Sequence, residues 1–314
     1  MKNHRKKSLR VYAISLITIL ITIPSTTSVE FIKNNSLNES FNGNIFYVGG
    51  IGSGNYSNIR DALRDANDGD TVYVFNGTYY EYFAISKSIN LIGESKESTI
   101  INGSGTSYVV NVIKINADGV KVSGFTIDGG SFWTTGGTTG IEIHSNNNSI
   151  IGNIIYGNRF SGIRLTGFYY PCSNNTISGN VISNNYIGIS FSESNDNYIS
   201  NNKIFNHSQC GLSLFMSYRN EIQRNNIKEN PKGIWVSFCS NNIFTQNNFI
   251  KNIDKNIKIV SRLSDRGNTW NENYWNKPLS HPKIIIGRTG VFFKFIPSIA
   301  IDWNPAQEPF NMGV

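Results

Sequence analysis

The sequence predicts an all-β fold in which one chain winds as a parallel β-helix, and three observations predict it. A phrase that opens on glycine and an aliphatic residue recurs as GIEIHS, GIRLTG, GISFSE, GLSLFM and GIWVSF, starting at Gly140, Gly162, Gly188, Gly211 and Gly233, with steps of 22, 26, 23 and 22 residues. A weaker copy, NIKIVS, starts at Asn256. A second phrase follows each first one (NSIIGNII, NTISGNVI, NYISNNKI, NEIQRNNI, NIFTQNNF) and carries Asn153, Asn180, Asn202, Asn225 and Asn247 at nearly the same period. Both phrases alternate aliphatic and polar residues, as half-buried strands do. A repeat of 22–23 residues with no helical periodicity suits a coil of short strands, each pairing with its counterpart about 4.8 Å away on the next coil.

The elements follow in chain order. Residues 1–28 are basic (Lys2, Arg5, Lys6, Lys7, Arg10), then apolar (Val11 to Ile23), then small, the order of a secretory signal. The apolar run is short for a span of about 20 residues, and an uncleaved N-terminal anchor is the alternative. Without this segment Lys+Arg falls from 28 to 23 against 21 acids, leaving +2. The basic charge therefore belongs to targeting and does not predict nucleic-acid binding. A linker spans 29–44. Ile59, Ala62, Leu63 and Ala66 then fall at helical spacing, which predicts one short amphipathic capping helix with Ser57 as its N-cap. The β-helix is expected over 45–276, with one coil enlarged by the insertion FYYP, and 277–314 breaks the period as a C-terminal cap and tail that includes GVFFKFIPSIAIDW.

Within the repeat, inward columns are read as Ile141, Ile163, Ile189, Leu212, Ile234 and Ile257, with Ile150, Ile177, Ile199, Ile222 and Phe244 on the second strand. The central asparagines are expected to stack as a hydrogen-bonded ladder at a sharp turn, each amide donating to one coil and accepting from another. A second such column is Asn158, Asn185, His207, Asn230 and Asn252, in which His207 substitutes for asparagine rather than serving as a ligand.

Three cysteines, Cys172, Cys210 and Cys239, are too few for a disulfide framework. Eight Asn-x-Ser/Thr sequons, at Asn34, Asn38, Asn55, Asn76, Asn102, Asn147, Asn174 and Asn206, permit glycosylation of an exported chain.

The opening YSNIRDALRDANDGDTVYVFNGTYYEYFAISKSINLIGES resembles the N-terminal module of pectin-lyase-like right-handed β-helices. The N-x-I-x-x-N-x-I repeat with its G-I phrase and the closing NYWN resemble the NosD-type periplasmic proteins, over about residues 45–276. The resemblance implies a single-stranded right-handed parallel β-helix, and a secreted, extracellular or cell-envelope protein. It would handle a polysaccharide or assist copper-site assembly, and copper or calcium enters as a cofactor by resemblance alone. No nucleic-acid partner is expected, the membrane is met only through the N-terminal segment, and the chain is expected as a monomer.

Outward positions of the first strand are where chemistry would be displayed. One column reads Lys114, Glu142, Arg164, Ser190, Ser213, Trp235 and Lys258, and the next Asn116, His144, Thr166, Ser192, Phe215, Ser237 and Val260. Glu142, His144 and Arg164 form a candidate catalytic cluster, able to abstract a proton from a uronic acid and neutralise its carboxylate, as a lyase, hydrolase or epimerase requires. The plainer reading is a surface ion-pair ladder. The Asp-Pro-His run of alginate epimerases, the paired-aspartate signature of polygalacturonases and the calcium-binding aspartates of pectate lyases are absent from the sequence. Trp133, Tyr169, Tyr170, Phe215 and Trp235 are candidate sugar-stacking residues, because sugar C–H faces pack on aromatic rings; surface packing of long loops is the alternative. For copper, which takes His, Cys or Met, register separates His144 from Met216, and Cys172 from Cys239, by about three coils, so no metal site is expected.

Overall fold

The structure is a computed structural model that describes residues 43–105, 111–129, 137–169, 172–262, 267–291 and 294–311. The expected signal at 1–28, nearly all of the 29–44 linker, and Trp133 and Tyr170 lie outside these residues. Among the described residues no helix is long and apolar enough to cross a membrane.

The chain is an all-β right-handed parallel β-helix, the hand that parallel crossovers take. Three strands per coil build three faces. Face one holds the glycine phrase, in strands such as Thr139–Ile143, Ser161–Thr166, Ile187–Ser192, Cys210–Phe215 and Lys232–Ser237. Face two holds Ser149–Ile151, Thr176–Ser178, Tyr198–Ser200 and Glu221–Gln223, and face three Ile154–Tyr156, Val181–Ser183, Lys203–Phe205 and Asn226–Lys228. Every strand pairs in parallel with its counterpart one coil away, so Ile141, Ile163, Ile189, Leu212, Ile234 and Ile257 stack in one inward column. Ile150, Ile177, Ile199, Ile222 and Phe244 stack in a second. These side chains are almost wholly buried.

The three corners of each coil share one device. A residue in the left-handed conformation precedes an asparagine, or His207 in one coil: Asn147, Asn174, Asp196, Arg219 and Asn241 at the first corner; Gly152, Gly179, Asn201, Arg224 and Gln246 at the second; Gly157, Asn184, Asn206, Glu229 and Lys251 at the third. Glycine and asparagine adopt this conformation at least cost, which explains the G-N and N-N pairs of the second phrase. The following asparagine amides then form ladders. At the second corner Nδ2 of Asn180 donates to Oδ1 of Asn202 (3.0 Å), Asn202 to Asn225 (2.9 Å) and Asn225 to Asn247 (3.1 Å). At the third, Asn158 donates to Asn185 (3.0 Å), and His207 takes the next position by accepting the Asn185 backbone N–H at Nδ1 (3.2 Å). A further ladder through Asn148, Asn175, Asn197, Asn220, Asn242 and Asn268 occupies the first corner. The glycine of the first phrase marks a close approach of coils: a Cβ on Gly211 would lie 2.9 Å from the Gly233 carbonyl oxygen and 2.9 Å from Ile227 Cγ2.

The ends depart from the repeat. The helix α1, Ile59–Asp65, buries Ile59, Ala62 and Leu63. Its N-cap is Asn58, whose side chain accepts from Asp61 N at 2.8 Å, so the expectation of Ser57 is corrected by one residue. Glu81 adds two acceptors to the same helix end, at Ile59 N and Arg60 N. At the other end the aliphatic columns turn aromatic: Phe244 stacks on Trp270 at 3.9 Å and Phe249 on Trp275 at 4.7 Å. An antiparallel hairpin, Lys283–Val291 with Lys294–Asp302, then pairs with the last strands of faces one and two. The buried carboxylate of Asp302 ends the second-corner ladder by accepting from Asn273 N, Asn273 Nδ2 and Trp275 Nε1.

Candidate functional site

Outward side chains of face one form a straight column. Register runs Ala84, Lys114, Glu142, Arg164, Ser190, Ser213, Trp235 and Lys258, one residue per coil. Seven strand spacings of about 4.8 Å give a track on the order of 34 Å long. It begins in a groove of about 710 Å³ beside α1, bounded by Arg60, Tyr82, Ala84, Asn111 and Lys114.

The structure brings Glu142, His144 and Arg164 together. Glu142 Oε2 lies 3.1 Å from His144 Nε2, off the axis of a good hydrogen bond, and Oε1 lies 3.4 Å from Arg164 Nη1. Asn111 Nδ2 donates to Oε2 at 2.6 Å. Burial pushes the Glu142 carboxyl up, but His144, Arg164 and Asn111 together outweigh it and hold the group below the usual carboxylate range. Glu142 is thus an ionised acceptor that orients its neighbours at neutral pH, and a proton donor only in acid. Arg164 is further held over the Phe160 ring at 5.1 Å. This cluster can orient the imidazole and present a guanidinium edge to an anion, the parts that proton abstraction beside a carboxylate uses.

Trp235 lies in the same column, four coils beyond Glu142, under Lys258 Nζ at 3.9 Å from the ring centroid, with its Nε1 enclosed and without a hydrogen-bond partner among the described residues. Phe215 is exposed and packs edge-on against Phe238 at 5.9 Å. Tyr169 is away from the column, at the first corner of the enlarged coil, 81% exposed. The five sugar-stacking candidates therefore do not converge: Trp235 and Phe215 belong to face one, Tyr169 to a corner, and Trp133 and Tyr170 lie outside the described residues.

Sequence reasoning missed Asn111 and Phe160, which clamp Glu142 and Arg164. Asn111 starts its strand one coil before Glu142, a position no motif marks, and Phe160 sits in a corner outside the repeated phrases.

The described residues do not fit a copper or calcium site. Cys172 and Cys239 belong to one corner column, separated by Ser194 and Ser217, whose backbone N–H groups pass along it to Ser217 Oγ and Cys239 Sγ. Burial pushes the Cys172 thiol up to about 11 and that of Cys210 to about 12, away from the thiolate that metals bind. Burial pushes His207 down to about 4, and its Nδ1 is already an acceptor. Among the described residues no three His, Cys, Asp or Glu side chains converge.

Solved structures share the fold. Pectate lyase Pel9A superposes with a TM-score of 0.54 at 14% identity, over 72% of this chain and 70% of that one. The GH136 lacto-N-biosidase from Eubacterium ramulus gives 0.54 at 14% identity, over 74% of this chain and 56% of that one, so this chain spans just over half of that enzyme. No curated protein matches in sequence. Residues 63–289 match the family described as periplasmic copper-binding protein (NosD). That span contains the end of the helix, all three asparagine ladders and the face-one column, and the chain belongs to the NosD family.

Proposed function

We propose that this protein is a cell-envelope β-helix that binds an extended polysaccharide along face one. One observation carries the reading: the outward column from Ala84 to Lys258 is a single unbroken track that leads out of the groove at the N-terminal end. Its groups suit a glycan, with cations at Lys114 and Arg164, a hydroxyl at Ser213, and a tryptophan face at Trp235. Polar groups fix orientation while an aromatic ring supplies contact area. The family's periplasmic setting agrees with the export segment expected at 1–28. Copper, which the family's description names, finds no matching ligand set in the described residues, so no role is built on it.

The test is retention of the mature chain on a broad glycan array. Trp235→Ala should weaken retention by about 10- to 30-fold, the usual effect of removing a buried aromatic anchor. No retention by the wild type on any glycan, or equal retention by the variant, would sink the reading.

The convergence of Glu142, His144 and Arg164 favours a second reading, a lyase, hydrolase or epimerase acting on uronic-acid polymers. It predicts new reducing ends, unsaturated ends or inverted residues in any retained glycan, abolished by Glu142→Gln. Unchanged product formation by that variant would remove Glu142 from the chemistry.

A further inference from the structure

A second pocket lies at the first corner of the solenoid, off the face-one track. Its volume is about 470 Å³, and it is bounded by Phe168, Tyr169, Ser173, Glu193, Asn195 and Tyr218. Three successive coils build it. The enlarged coil contributes Phe168 and Tyr169, whose rings meet edge to face at 4.8 Å and are 61% and 81% exposed. The next coil contributes Glu193 and Asn195, and the one after it Tyr218.

The floor of this pocket is tied together by hydrogen bonds between coils. Glu193 N donates to the Phe215 carbonyl (3.0 Å), Asn195 N to the Cys172 carbonyl (3.2 Å), and Asn195 Oδ1 accepts from Tyr218 N (2.8 Å). Glu193 is half-buried in a left-handed conformation, and its carboxylate has no ion-pair or hydrogen-bond partner among the described residues. Two exposed aromatic rings would gain by covering an apolar face. An unpaired carboxylate beside them can accept two hydroxyl donors, and no cation among these lining residues would recruit an anion. A pyranose ring combines such an apolar face with such hydroxyls, and the volume lies within the range of small-ligand sites. The pocket adjoins the column of Thr166, Ser192 and Phe215, so a polymer on face one would pass beside it.

We propose that this corner pocket binds a neutral, hydroxyl-rich sugar ring, as a branch of the glycan held on face one. The branch assignment rests on the reading of face one; the pocket's affinity for a neutral sugar does not. The enlarged coil is then the device that makes the protein selective for a branched polymer.

The experiment is saturation-transfer NMR on the mature chain with free glucose, galactose, mannose, N-acetylglucosamine and glucuronate. At least one neutral sugar should receive saturation, and glucuronate should receive less. Tyr169→Ala and Glu193→Gln should each weaken binding of that sugar about tenfold, the equivalent of one charge-assisted hydrogen bond or one stacked ring. Because Tyr169 is so exposed, its truncation should leave the fold intact, which circular dichroism checks. No transfer to any neutral sugar, stronger transfer to glucuronate, or wild-type transfer in Tyr169→Ala would each overturn the pocket. If neutral sugars bind here while Trp235→Ala leaves glycan retention unaltered, the face-one reading fails and the pocket stands.

Discussion

Replacing His207 with asparagine should abolish a specific loss of stability between pH 6.5 and pH 4. His207 sits in the third-corner ladder, 2% exposed. Burial pushes its imidazole from 6.5 down to about 4, and Nδ1 must stay bare to accept the N–H of Asn185. The unfolded chain therefore binds a proton in this window that the folded chain refuses. Stability rises with pH wherever the unfolded state holds more protons. It follows that the folded state is full strength above 6.5, weakens as pH falls towards 4, and then levels off. A gap of about 2.5 pKa units at about 1.4 kcal/mol each amounts to roughly 3 kcal/mol. An asparagine at 207 has no such proton to refuse, and its amide restores the ladder between Asn185 and Asn230. The assay is guanidinium unfolding of both proteins from pH 8 to pH 4, with exchange of the Asn185 amide as a local probe. Solenoids need not unfold in one step, so the local probe reports this coil directly. All other titrating groups are shared and cancel in the difference. Parallel pH profiles for the two proteins, or an imidazole that titrates near 6.5 in the folded state, would refute the reasoning.

Further outcomes follow from the same geometry. Asn180→Ala removes an acceptor used by Asn153 N (2.9 Å) and Asn153 Nδ2 (3.2 Å), and a donor used by the Ile150 carbonyl (2.8 Å). With buried unmet groups costing about 1–3 kcal/mol each, the loss should be roughly 3–5 kcal/mol by denaturant unfolding; a loss under about 1 kcal/mol would show the ladder to be dispensable. Glu142→Gln should change the acid limb of the stability profile. The Glu142 carboxyl is held below its ordinary 4.5, so its contribution is present above about that pH and fades as pH falls beneath it. The wild type's advantage over the variant should therefore shrink below pH 4.5; a constant difference would contradict the clamp.

The scaffold was legible in the sequence because a solenoid repeats its own contacts. A step of 22–23 residues fixes which side chains stack, so Ile141 over Ile163 and Asn180 over Asn202 could be paired from spacing alone. The first-corner ladder through Asn148, Asn175 and Asn197 was written in the same phrase and was overlooked, since its asparagines open the phrase rather than centre it. His207 could be read as a ladder residue for the same reason.

The candidate site was only half legible. Period fixed that Glu142 and Arg164 are vertical neighbours, but not that Asn111 and Phe160 hold them, because those residues lie outside the repeated phrases. Which aromatics act together was decided by the corners. Trp235 and Tyr169 look alike in a list of outward aromatics, yet one lies on face one under Lys258 and the other overhangs the pocket beside Glu193. The sequence by itself determined the period, and with it the inward columns and the face that each strand residue takes. Only the tertiary structure decided the clamp on Glu142, the groove beside α1, the corner pocket and the closure of the ladder on Asp302. The physical reason is that the repeat specifies contacts between equivalent residues of adjacent coils, whereas each of these features also needs a residue that the repeat does not place: Asn111 and Phe160 for the clamp, α1 for the groove, the inserted Phe168 and Tyr169 for the pocket, and Asp302 for the closure.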